Sequence, residues 1–138
     1  MVAAINFRSF RLILKPLALL FVMAAVFPSA AEDNKWLFGA GAQLQALDKI
    51  TARISTLDVA VGQPDQFGSL QIIVHACTYR PPTMAPEHAA LMEIRNINHL
   101  GEVLEPPIFS GWMFASSPAL NALEHPVYDV SVLACKKD

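Results

Sequence analysis

Several side chains in this sequence are of types that do chemistry, and their spacing limits which chemistry they could share. Ser116 or Ser117, with His125 and Asp129, supplies the hydroxyl, base and acid of a nucleophilic triad, in which the imidazole must touch the hydroxyl and the carboxylate must orient the imidazole. No G-x-S-x-G elbow surrounds either serine, and Ser117 followed by Pro118 is better explained as the N-cap of a short helix. His75, His88, His99 and His125 could join Glu87, Glu93 or Glu124 as zinc ligands, but the spacing matches no H-E-x-x-H or related motif, and no metal or other cofactor is expected. Cys77 and Cys135 lack the C-x-x-C arrangement that lowers a thiol pKa for redox work. Arg80, Trp112, His125 and Tyr128 are read as candidates for an interaction face, because aromatic rings and arginine supply apolar area with a polar handle. For Trp112 the simpler placement is the core of a small β domain.

The elements that must position these residues begin after a targeting segment. Met1 to Lys15 is basic, Pro16 to Phe27 is apolar, and Pro28-Ser29-Ala30-Ala31 ends in the small residues that signal peptidase requires. The apolar run is too short for a bilayer, which needs about 20 residues. Residues 1–31 therefore read as a cleaved secretory leader, with cleavage between Ala31 and Glu32 and a periplasmic destination, and no stable membrane span is expected afterwards. In an oxidising compartment, one intramolecular Cys77–Cys135 disulfide is the expected state.

The chain has 138 residues, is 54% hydrophobic and only 16% charged, so it carries enough apolar surface to fold but length for one domain only. Its formal net charge of −2 conceals an asymmetry, since the leader holds Arg8, Arg11 and Lys15 and no acid. The remaining bases, Lys35, Lys49, Arg53, Arg80, Arg95, Lys136 and Lys137, are mostly scattered on a more acidic background, which argues against nucleic acid as a partner.

Residues 32–46 read as a linker or short helix, with Leu37, Ala40, Leu44 and Leu47 at helical spacing and Gly39 and Gly41 confining the helix to a start near Ala42. Residues 47–138 read as one β-rich domain. Leu57, Val59 and Val61 alternate in a first strand that ends in a turn at Gly62-Gln63-Pro64-Asp65. Gly68 to Arg80 has apolar residues of both parities, as a central strand covered on both faces does, with Leu70, Ile72, Val74 and Ala76 on one side and Ile73, Cys77 and Tyr79 on the other. Further strands are expected at Ala89 to Arg95, Ile108 to Phe114 and Val127 to Cys135. Asn96 to Pro107 reads as a long loop, and Pro118 to Leu123 as one or two helical turns. In the last strand Tyr128, Val130, Val132 and Ala134 share one face and Leu133 and Cys135 the other. This pattern predicts a mainly β fold, a small single-domain β-sandwich or partly open β-barrel with one short helix and one disulfide.

The string Phe109 to Asp129 (FSGWMFASSPALNALEHPVYD), with Leu47-Asp48-Lys49-Ile50-Thr51, Phe67-Gly68-Ser69-Leu70 and the Cys77 to Pro82 run CTYRPP, resembles a bacterial envelope family known as domain of unknown function 2155. The resemblance covers about Leu47 to Cys135 and implies an exported, single-domain protein of Gram-negative bacteria with the same two cysteines. It implies no activity and carries no functional residues, and Asn96 to Leu104 departs from the family pattern. The function expected is a non-catalytic periplasmic accessory module that binds another envelope protein. The alternative is a small envelope hydrolase of cell-wall or carbohydrate material, acting through Glu93, Glu124 or the Ser117, His125 and Asp129 set. A carrier of a small apolar ligand would need a closed internal cavity.

Overall fold

The computed structural model describes residues 35–138. The leader expected at residues 1–31 lies outside them. Eight strands form two antiparallel sheets: β1 (Leu37–Phe38), β2 (Gly41–Asp48), β3 (Arg53–Ala60), β4 (Pro64–Phe67), β5 (Leu70–Tyr79), β6 (His88–Asn96), β7 (Phe109–Phe114) and β8 (Tyr128–Lys136). One sheet has five strands in the order β1-β5-β6-β7, with β4 also paired to β5 beside β1, and the other runs β3-β2-β8. They pack face to face as a sandwich without closing into a barrel. The core is built from alternate residues of both: Ala42, Leu44 and Ala46 of β2, Leu70, Ile72 and Val74 of β5, Ala90, Met92 and Ile94 of β6, Phe109 and Met113 of β7, and Val130 and Val132 of β8.

On one side the sandwich is held together because the chain itself changes sheet. Gly39 N donates to Cys77 O of β5 at 2.8 Å, and the next amide, Ala40 N, donates to Lys136 O of β8 at 2.9 Å. The same device recurs at Val61, whose N donates to Ala40 O at 2.9 Å, and Gly62, whose N donates to Val74 O at 2.8 Å. Gly39 is required at the first crossing, since a Cβ there would lie 2.7 Å from Lys136 O and 3.0 Å from Cys135 Cβ. On the opposite side, between β7 and β8, the connection buries Leu123 in the seam. That connection contains a 3-10 helix, Pro118–Leu120, shorter than the helix expected to Leu123, and the Ser117 side chain makes no capping hydrogen bond.

The helix expected from Ala42 is a strand, and it lies at the centre of its sheet. Its inward residues are Ala42, Leu44 and Ala46, so alanines hide the period of two that larger residues would have displayed, while Leu44 and Leu47 imitate a helical interval. The domain thus starts before residue 47. The turn expected at Gly62 to Asp65 holds the start of β4 as well, a short strand that begins at Pro64.

The disulfide exposes a second departure from simple alternation. In β5 the register steps from Val74↔Met92 to Ala76↔Leu91, leaving His75 as an extra residue. In β8 it steps from Leu44↔Val132 to Gln43↔Ala134, leaving Leu133 extra. Each bulge reverses the parity of the residues beyond it. Cys77 therefore faces the core with Val74, and Cys135 with Val132, where alternation alone assigns both cysteines to the opposite face. Their Cα atoms are 5.6 Å apart, joining the two sheets through the core. The outer face of β5 is consequently half covered at Gln71, Ile73 and Ala76 and open at His75.

With a sequence separation of 58 between the linked cysteines, the cross-link limits the unfolded chain by about 4 kcal/mol. Replacing both Cys77 and Cys135 by Ala should lower unfolding free energy by about that amount in denaturant titrations. A loss under about 1 kcal/mol would show that strain or residual structure cancels the constraint.

Candidate functional site

The four residues expected to share one interaction face are divided by the fold. Arg80 follows β5 at the disulfide end of the sandwich, with its guanidinium over the Trp36 ring, 5.2 Å from the centroid. Its backbone N donates to Glu87 O at 3.0 Å, and among the described residues its buried Nε finds no hydrogen-bond partner. His125 and Tyr128 sit at the other end, where their rings stack at 5.2 Å and Tyr128 meets Phe67 edge-on at 5.4 Å. Phe67 adjoins Leu70 at the start of β5 and Arg80 follows its end, so these groups are about 30 Å apart. Trp112 belongs to neither group. It projects from the outer face of β7, 38% exposed, while its neighbour Met113 takes the core position.

The triad does not assemble. Ser116 Oγ donates to Glu87 Oε2, and Ser116 N donates to Glu87 Oε1 at 3.2 Å, at the disulfide end. His125 is engaged at the far end of β8, about 20 Å away by strand rise. Its Nδ1 accepts from the backbone N of Val127 and of Tyr128, both at 3.1 Å, so the ring pins the entry into β8 and keeps its remaining proton on Nε2. Two further histidines are likewise engaged, since His75 Nε2 lies 3.1 Å from Glu93 Oε2 and His88 Nδ1 accepts from Cys135 N at 3.0 Å, while His99 is exposed in the connection between β6 and β7. Glu93 also pairs with Arg95 on the outer face of β6. Among the described residues no three His, Cys, Asp or Glu side chains gather as metal ligands, and no helix is long and apolar enough to cross a membrane.

What the register does bring together is an apolar surface. On the outer face of the five-stranded sheet, Ala76, Leu91 and Trp112 lie side by side across β5, β6 and β7. The next row is Phe38, Thr78, Ala89 and Phe114 across β1, β5, β6 and β7. Phe38 is 78% exposed, Leu91 and Phe114 are half-buried, and Thr78 and Ala89, between Phe38 and Phe114, are buried. Beyond this patch the same face turns polar, where Glu93 contacts His75 and pairs with Arg95, which also pairs with Glu105. Gly111 lets Asn121 approach β7: a Cβ there would lie 3.0 Å from Asn121 Nδ2, which donates to Trp112 O at 2.9 Å. Sequence reasoning missed Phe38 and Leu91 as surface residues and offered Glu87 only as a metal ligand. The alternation of β6 carried the signal for Leu91, whereas nothing signalled the bond of Glu87 to Ser116, 29 positions away.

Two ionisable groups feel these surroundings. Burial raises the Glu87 carboxyl, but the hydrogen bonds from Ser116 and His88 and the nearby Arg80 charge outweigh it, leaving the pKa below its ordinary value. Burial first and the Lys49 charge second hold the His125 imidazole below its ordinary 6.5. Lys49 is fixed there by a 2.7 Å hydrogen bond from its Nζ to His125 O. The unfolded chain thus takes up a proton at higher pH than the folded chain, and the stability that neutral His125 contributes is complete above 6.5 and lost as pH falls through the lower folded-state value. Melting temperatures measured from about pH 7.5 to about pH 5 should fall more steeply for the wild type than for His125→Asn, whose amide oxygen keeps the acceptor without titrating. Parallel curves would refute this role.

Comparison with known proteins places the same span in one group. A family described as an uncharacterized protein conserved in bacteria, domain of unknown function 2155, matches residues 42–135. An uncharacterized protein of Rickettsia prowazekii (strain Madrid E), RP359, is 32% identical over 92 residues, which cover 65% of this chain and 57% of that protein. No solved structure matches. The family match opens in β2 and closes at the second bridged cysteine, taking in every strand that builds the core, and the chain belongs to the bacterial family of domain of unknown function 2155.

Proposed function

We propose that this protein is an exported, non-catalytic domain of the bacterial envelope that binds another envelope protein through the outer face of its five-stranded sheet. The observation that carries the reading is the apolar surface of Leu91, Trp112, Phe114 and Phe38, since aromatic and aliphatic side chains brought side by side on one sheet face are the usual core of a protein interface. The buried disulfide supports export, because an oxidising compartment forms and keeps such a bond. The leader expected at residues 1–31 points to the periplasm as that compartment. Arg80 and the His125 and Tyr128 pair contribute to separate ends of the domain and are not part of this surface.

A photoreactive amino acid placed at Trp112 in the full chain, expressed in intact cells, should capture one envelope protein reproducibly. A Leu91→Glu exchange should abolish that capture, because a carboxylate set in an apolar interface costs several kcal/mol. The same probe at Gln45, on the outer face of the other sheet, should capture nothing specific. Equal capture at both positions, or none at Trp112, would overturn the assignment.

A further inference from the structure

Sheet edges carry unpaired backbone donors and acceptors, and among the described residues this fold shortens, bulges or ties down all of them but one. The β7 edge is blunted by Asn121 Nδ2 on Trp112 O at 2.9 Å and by Ser117 N on Phe114 O at 3.3 Å. The β8 edge is bulged at Leu133 and tied down where Cys135 N donates to His88 Nδ1. On the remaining side of the larger sheet, β1 has two residues and β4 has four, starting at a proline. The exception is β3. It is eight residues long, pairs with β2 in unbroken register, and among the described residues has no partner on its other side. Val61 N donates to Ala40 O, which fixes the alternation: odd-numbered residues of β3 turn their backbone groups toward β2, and Ile54, Thr56, Asp58 and Ala60 turn theirs outward. Of these outward groups only Ala60 O is used, by Gln63 N at 3.2 Å.

We propose that β3 is a homodimerisation edge, joining a second copy of this chain by antiparallel pairing about a two-fold axis through Leu57. The sequence of the strand is what singles out its own copy as occupant. Outward-facing backbone groups must meet outward-facing groups, so only registers that pair even-numbered with even-numbered residues form the ladder. In the register centred on Leu57, Thr56 stands opposite Asp58 of the second copy, Ile54 opposite Ala60, and Ser55 opposite Val59, while Leu57 meets itself. The pairs are compatible: Thr56 sets a hydroxyl beside a carboxylate, Ile54 meets Ala60 and Leu57 meets Leu57, and no like charges are directly opposed. The two Asp58 carboxylates drawn toward the junction are each already matched within their own sheet by Lys136 Nζ at 2.9 Å and Gln43 Nε2 at 3.3 Å. Leu57, half-buried at the lip of the core, becomes covered. The product is a continuous six-stranded sheet in the order β8-β2-β3-β3-β2-β8, an isologous arrangement that leaves no β3 edge open. It leaves the Trp112 surface, on the other sheet, free for a different partner.

The test uses the full chain, expressed with its leader and purified from the compartment in which it accumulates. Sedimentation equilibrium should show a monomer–dimer equilibrium. Thr56→Pro removes one outward-facing N–H from each copy and none from the β2 ladder, so it should weaken dimerisation about tenfold or more with little change in monomer melting. Thr56→Val, which keeps the N–H, should leave the dimer intact. Leu57→Cys should form an intermolecular disulfide on mild oxidation, because Cα atoms of a non-hydrogen-bonded antiparallel pair lie about 4.5 Å apart, within disulfide range. Thr56→Cys, two residues out of register with its own copy, should not. This cross-link also serves if Thr56→Pro fails to fold. A strict monomer, a dimer indifferent to Thr56→Pro, or equal cross-linking at positions 56 and 57 would overturn the proposal, as would a β3 edge filled by a strand of a different protein.

Discussion

A strand shows alternate residues to alternate faces, so a disulfide can join two packed sheets through their core only if both cysteines fall on the inward set. In this sequence neither does by simple counting, because Cys77 lies three positions after Val74 and Cys135 three positions after Val132, an odd step in each strand. One bulge in each strand supplies the missing step. The bridge then lies beside the place where the chain crosses between sheets at Gly39 and Ala40, whose amides donate to one sheet and then the other. Covalent and hydrogen-bonded links between the layers are therefore concentrated at one end. The rest of the sandwich relies on apolar burial, on Leu123 filling the open seam, and on His125 fixing the entry into the last strand.

The residue types that suggested chemistry are mostly occupied with architecture. His125 replaces a backbone acceptor for two amides, His88 does the same for Cys135, and Glu87 gathers Ser116 and His88 at the disulfide end. Each solves the same local problem: the chain ends a strand or rounds a loop with backbone N–H groups that no ladder receives, and an unpaired buried donor costs about 1–3 kcal/mol. A small two-layer domain with long connections has many such places. That explains how histidine, serine and carboxylate can populate a sequence without converging on one another.

Much of the fold was legible because its strands carry large apolar residues at strict intervals. The strand expected at Ala89 to Arg95 is present with Ala90, Met92 and Ile94 fully buried on one face, and the Asn96 to Pro107 loop and the final strand fall where composition places them. The errors share a physical origin. In β2 the inward residues include alanines, too small to advertise a period, and in β5 and β8 a single extra residue inverted the count. Compartment chemistry predicts the disulfide without reference to facing, so that inversion does not affect it. The site was less legible. Sequence grouped Arg80, Trp112, His125 and Tyr128 by residue type, but adjacency on a sheet comes from register between strands distant in sequence, and that register put Leu91 and Phe38 beside the tryptophan instead.

The position of the bridge also governs how the domain yields to mechanical load. Cys135 lies one residue from the end of β8, and its partner lies in β5 beside the short strand that begins the described chain. Tension drawing the C-terminus away can peel Lys136 from Gly41, but the zipper then meets a covalent stop, since Cys135 cannot leave without carrying β5 with it. Tension on the other terminus can detach Leu37 and Phe38 from Tyr79 and Thr78, and then the crossing amides of Gly39 and Ala40, without touching the length of chain enclosed by the bridge. Fraying from the C-terminal end is thus arrested almost where it begins, and the two ends of one small domain differ sharply in their resistance to being pulled.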